Sequence, residues 1–152
     1  MSKRDFMNDL ALATGGIATL SGTTPFESNI VDLKQCLGLT ASLITGTITD
    51  AGAAAGFTMK LQESDDTADA NFSDVAAVDM VGGVQTLSVT SDDDDDIAVG
   101  MLAYKGTKRY VRAVVTGTTG TDGTVAVVFH RHGLSMAPAS ALGGYSRPSS
   151  LS

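Results

Sequence analysis

Phe57-Thr58-Met59-Lys60-Leu61-Gln62 alternates strictly, so that Phe57, Met59 and Leu61 fall on one side of an extended chain and Thr58, Lys60 and Gln62 on the other. That order suits a half-buried β-strand. Outward from it, residues 42–130 continue as short runs rich in Val, Thr and Ala, punctuated by Gly and Asp, with no helix-length hydrophobic period. Strands are expected near 42–49, 57–63, 75–80, 84–89, 97–104, 109–116 and 124–131. The chain therefore reads as all-β, an antiparallel β-sandwich or barrel. The lack of strand–helix alternation argues against a doubly wound nucleotide-binding fold.

Turn residues suggest how these strands connect. Gly82-Gly83 between two apolar runs reads as a tight hairpin. Val111, Ala113 and Val115 line one face of one strand, and Val125, Val127 and Phe129 line one face of the next. With Asp122-Gly123 as the turn, these two strands are expected to pair as a hairpin. The ends differ. Ser2 is placed to cap a short helix over 3–12, with Asp5 in its first turn and Phe6, Leu10 and Ala13 near one side. Residues 14–28, rich in Gly and Thr and containing Pro25, read as an extended arm, and 29–37 fit one strand or one helical turn. Beyond Gly133 the chain turns to Ser, Ala, Gly and Pro, which cannot cover a core. The expected division is an N-terminal arm with short first elements at 1–40, a β-sandwich at 41–133 and an extended C-terminal tail at 134–152.

The chain has 152 residues, 43% of them hydrophobic, but aromatics make up 5% and Trp is absent. The core must be built from Val, Leu, Ile, Ala and Met, and a core that thin gains from an oligomeric or larger partner surface. A formal net charge of -7 disfavours nucleic acid, which needs clustered Lys and Arg. Cys36 stands alone and cannot form an intrachain disulfide, and no apolar stretch approaches the roughly 20 residues that cross a bilayer. These features point to a soluble protein made in a reducing cytoplasm, without membrane partner.

Five adjacent carboxylates at 92–96 must be solvated or shared with a cation. A solvated turn is the preferred reading. Asp92, Asp94 and Asp96 are the calcium candidates, with Asp65, Asp66 and Asp69 as further ligands if the two loops share one end of the sandwich. His130 and His132 sit at strand spacing, but a zinc site needs a third and usually a fourth ligand. Gly15-Gly16 and the loop 117–123 lack a phosphate-cradling ending and read as turns. Lys105, Lys108, Arg109 and Arg112, around Tyr104 and Tyr110, form the one basic cluster, facing either an acidic partner or solvent. Groups for general acid, base and nucleophile roles are scattered, so neither an enzyme nor a cofactor is expected.

Two stretches carry a family resemblance. Leu61-Gln62-Glu63-Ser64-Asp65-Asp66 followed by Asn71-Phe72-Ser73-Asp74-Val75, and residues 108–116 with 124–129, resemble capsid decoration, or cement, proteins of tailed bacteriophages, which have a jelly-roll-like β-sandwich. The resemblance spans about residues 40–135. It implies a non-enzymatic virion protein on the capsid exterior, made in the bacterial cytoplasm, which bridges and stabilises the major capsid protein as a homo-dimer or homo-trimer. No catalytic residues carry over. Polar ends could drape over neighbouring subunits with Phe6, Phe26, Leu134 and Tyr145 as anchors, and Arg109 and Arg112 are the basic interface candidates. A phage head-completion or tail protein is the alternative, and a carbohydrate- or calcium-binding sandwich module the more distant one.

Overall fold

The computed structural model describes residues 9–51 and 56–134. Ten strands form two antiparallel sheets. The first has the order β1 (Leu10–Ser21), β10 (Asp122–His132), β4 (Gly38–Thr49), β8 (Ala98–Tyr104). The second is centred on β9 (Tyr110–Thr116) and β5 (Phe57–Ser64). Its two edges are interrupted strands. β2 (Phe26–Glu27) and β3 (Val31–Asp32) follow one another along β9. Ser28 bridges the gap between them: its N–H donates to the Ala113 carbonyl and its Oγ accepts from the Ala113 N–H, both at 2.9 Å. β6 (Ser73–Asp74) and β7 (Thr86–Val89) likewise share β5. Counting each interrupted edge once gives two four-stranded sheets, and most connections pass from one sheet to the other, which is the double-sheet arrangement of a jelly roll.

The core lies between the sheets. Leu39, Ala41 and Leu43 from β4 and Val125, Val127 and Phe129 from β10 face Phe57, Met59 and Leu61 from β5 and Val111, Ala113 and Val115 from β9. Period-two alternation is what lets each of these strands bury one side. Phe57, Phe129 and Tyr104 are the large aromatic side chains that fill it.

Several expectations change. The helix over 3–12 is not formed in its described part, since Leu10 already opens β1; Ser2, Asp5 and Phe6 lie outside the described residues. The arm over 14–28 is instead largely strand: β1 pairs with β10 from Leu10↔His132 to Ser21↔Asp122. The two glycines at 15–16 are no turn between elements but a bulge inside β1, where the register shifts and Gly16 takes φ +123°. Val111–Val115 and Val125–Phe129 do not form a hairpin. They lie in opposite sheets, because the loop after β9 crosses the sandwich, and an inward-facing strand shows the same alternation whichever sheet it joins. The strand expected at 75–80 is replaced by a 3-10 turn at Ala77–Asp79, and Met80 bridges to Tyr104. Gly82 and Gly83, both at positive φ, belong to this excursion between β6 and β7 rather than to a tight hairpin.

Candidate interaction surfaces

The outer faces of the two sheets differ in chemistry. Over β5 and β9 the face is polar and cross-linked. Lys60 Nζ donates to Asp74 Oδ2 at 2.7 Å, and Gln62 Nε2 donates to Asp74 Oδ1 at 2.8 Å. These two donors, Lys60 foremost, hold the Asp74 carboxyl below its ordinary value. Arg112 is the centre of this face. Its Nε donates to Gln62 Oε1 at 3.0 Å, its Nη1 donates to Glu27 Oε2 at 2.8 Å and Asp69 Oδ1 at 3.1 Å, and its guanidinium lies 4.5 Å from the centroid of Phe72. One side chain thereby ties the edge strand β2, the central strand β5 and the loop after it.

Arg112 is only 5% exposed, so its contacts are made within the fold. Its acidic partners reach solvent and are not stranded when it is removed. Arg112→Met is therefore expected to lower stability by about 2 kcal/mol, less than the loss of a fully enclosed pair, and Arg112→Lys to restore little because the planar fork is lost. Urea unfolding of the three forms checks this.

Arg109 is exposed at the end of the sandwich, stacked 5.0 Å from the Tyr110 ring centroid. It donates through Nε and Nη2 to both oxygens of Asp32, at 3.0 and 2.7 Å, and this pair holds the Asp32 carboxyl below its ordinary value of 3.8. The stabilisation from a depressed carboxyl is present above that value and disappears as pH falls through the folded-state value. Asp32→Asn is expected to be less stable than the parent at neutral pH, with the gap closing below pH 3.8, as measured by thermal unfolding across pH. Nearby, Lys108 pairs with Asp65, and the Tyr104 hydroxyl donates to Glu63 Oε2 at 2.6 Å while accepting from the Lys108 N–H at 3.0 Å. Burial, then the Glu63 contact, pushes the Tyr104 phenol up. Lys34, Cys36, Leu37, Lys108 and Arg109 line an open cleft of about 470 Å³ here, and burial pushes the Cys36 thiol up.

The acidic run has a structural occupation. β8 stops pairing with β4 at Ala98↔Ile44, and the run takes its place along the remainder of β4. Asp95 Oδ1 accepts from the Ile48 N–H, and Asp92 Oδ1 accepts from the Ala51 N–H at 2.6 Å. Thr45 Oγ1 donates to the Asp94 carbonyl, and Ser91 Oγ accepts from the Asp93 N–H at 3.1 Å. Among the described residues no three His, Cys, Asp or Glu side chains are grouped to hold a metal, and Asp92 and Asp95 each commit a carboxylate oxygen to a backbone amide, of Ala51 and Ile48 respectively. Asp65, Asp66 and Asp69 cannot join the run, since they follow the far end of β5, where Ser64 pairs with Tyr110. Asp95→Ala is expected to cost about 1–2 kcal/mol by stripping a backbone amide of its acceptor, while added calcium or a chelator leaves the melting temperature unchanged. Calorimetry with and without each reads both.

The outer face of the other sheet is nearly uncharged, a mixture of aliphatic side chains with Thr and Ser. Its four strands contain two formally charged residues, Asp122 at one end and Arg131, which is buried. Ile17 is 76% exposed and Met101 64%, with Leu10, Leu12 and Ile44 also open. His130 and His132 stand at the end opposite Asp122, and His130 Nε2 lies 3.1 Å from Ser42 Oγ. Of the anchor candidates, Phe26 packs against the core, with its ring over Gly16, Leu134 is half-buried, and Phe6 and Tyr145 lie outside the described residues. Sequence reading missed this face. The signal was present as the absence of Asp, Glu, Lys and Arg from the segments of β1, β4 and β8.

No family model matches the chain, and no curated protein matches it significantly. Among solved structures it is similar to the SPBc2 prophage-derived protein YomS, at 16% identity over 80% of this chain and 93% of that one, with a TM-score of 0.43. It is also similar to PirA, at 10% identity over 77% and 92% of the two chains, with a TM-score of 0.43. A structure of infectious bursal disease virus, Gx strain, is similar at 10% identity over 86% of this chain and 33% of that one, with a TM-score of 0.36. Similarities of this size leave function to be argued from the chain itself.

Proposed function

We propose that this chain is a non-enzymatic virion protein that sits on the outside of a tailed-bacteriophage head and bridges neighbouring copies of the major capsid protein. The observation that carries the reading is the meeting of the two stretches resembling cement proteins. Residues 61–66 and 71–75 are far from 108–116 in sequence, yet Leu61 pairs with Ala113 and Gln62 with Arg112, while the remaining part of the resemblance, 124–129, lies in the opposite sheet. Arg112 then stacks on Phe72, and Lys108 reaches Asp65. Three of the four resembling segments thus fall on one connected unit of the fold, which supports reading them as a shared surface.

A compact sandwich of this kind acts by position. Each copy makes modest contacts with two or more shell subunits, and engagement of the second is effectively intramolecular, so a lattice of weak contacts resists expansion as a whole. The test uses heads lacking this chain, with purified chain added back. The expected result is saturable binding and a raised temperature of DNA release. Heads that bind none of it, or that bind it with unchanged release, contradict the proposal.

A further inference from the structure

We infer that the outer face of the β1-β10-β4-β8 sheet is where two copies of this chain meet, face to face, about a two-fold axis that lies in the interface and runs across the strands. The first reason is charge. The chain carries a net charge of -7, so most approaches of one copy to another set acid against acid. Along β1, β4 and β8 this sheet carries no charged residue, and the one on the outer side of β10 is Asp122, at its end. Contact here desolvates Leu12, Ile17, Ile44, Val128 and Met101 and brings the interleaved Thr and Ser hydroxyls within reach of those of the second copy, without burying an unpaired ion. The opposite sheet, with Lys60, Asp74 and Arg112 in ion pairs, offers no equivalent.

The second reason selects a copy of this chain over another partner. The face is polar at its two ends and in opposite senses. Asp122 and the acidic run that flanks the end of β4 lie at one end, and His130 and His132 lie at the other. A two-fold axis across the strands brings the acidic end of each copy over the histidine end of its partner, where imidazole N–H groups can donate to carboxylates. The match is made twice, as a self-complementary interface requires. An 11-residue strand and four strand spacings give a footprint of roughly 33 by 19 Å, on the order of 600 Å² before side-chain relief is added, close to the roughly 800 Å² per partner of a stable complex.

Sedimentation velocity on the full chain tests this, and the inference does not rest on the virion reading. The expected species has twice the 15.5 kDa chain mass. Ile17→Lys and Met101→Lys, both at open positions, are each expected to weaken the dimer about a hundredfold or more while retaining the parent β-sheet circular-dichroism spectrum. Val78→Lys, equally exposed at 75% but on the 3-10 turn after β6, is expected to leave it intact. A chain that stays monomeric at high micromolar concentration, a trimer, or a dimer indifferent to both face substitutions overturns the inference. A monomer that still binds heads overturns this inference and leaves the proposed function standing.

Discussion

Replacing Gly56 with alanine is expected to lower stability by about 3–5 kcal/mol and the melting temperature by about 10–15 °C. Gly56 holds φ at +70°, and a Cβ there would stand 1.6 Å from the Val89 carbonyl oxygen and 2.8 Å from its carbon. Both are backbone atoms, so no rotamer change relieves the overlap. β7 would have to leave β5 at the Phe57↔Val89 pair, exposing two residues that are fully buried. Strain from the left-handed backbone adds to the overpacking. Gly22→Ala separates the two contributions. Gly22 also has positive φ, at +60°, but nothing lies within 4 Å of its Cβ position, so about 1 kcal/mol of backbone strain is all that is expected. Thermal unfolding of both variants gives the comparison; equal losses would place the cost in the backbone alone.

Phe57→Ala is expected to cost about 3–5 kcal/mol, the range for deleting a fully enclosed ring. The phenyl occupies a slot shaped by two glycines. A Cβ at Gly117 would come within 2.8 Å of the ring, and one at Gly123 within 3.1 Å. Those glycines sit where the chain leaves β9 and starts β10, so the ring closes one end of the sandwich at the crossing between sheets. Phe57→Leu, which fills most of the slot, is expected to lose less than about 1.5 kcal/mol. In urea the midpoint should fall for both with the slope unchanged.

The strands that the sequence made legible are those with one wet and one dry side. β5 alternates Phe, Met and Leu with Thr, Lys and Gln because its outer side meets the ion pairs of Asp74 and Arg112. β1 was hidden for the opposite reason. Leu10-Ala11-Leu12-Ala13 and Ile17-Ala18-Thr19-Leu20 have apolar or neutral residues on both sides, and the bulge at Gly16 reverses the phase midway. A bulge defeats period-two reading even where the strand is continuous. The β9–β10 error is of another kind, since alternation states which side of a strand is buried but not which neighbour it takes. The carboxylate run was legible as a turn. Its bonds to Ile48 and Ala51 were not, because they depend on β8 ending before β4 does.

The feature that concealed β1 is the one that defines the uncharged face. The solvent side of β1 carries Leu10, Leu12 and Ile17 beside Thr14, Thr19 and Ser21, with no charge to mark it as wet. Arg109 and Arg112, joined in expectation as basic interface residues, part company in the structure. Arg109 stays at the surface on Asp32, while Arg112 is enclosed and braces the fold.

The copy number of this chain in purified particles, measured by quantitative mass spectrometry against the major shell protein, tests the proposed function most directly. A cement protein that occupies the lattice is predicted to be present in numbers of the same order as the shell protein. A handful of copies per particle would contradict the cement role and favour a head-completion or tail component, and complete absence would contradict a virion role altogether.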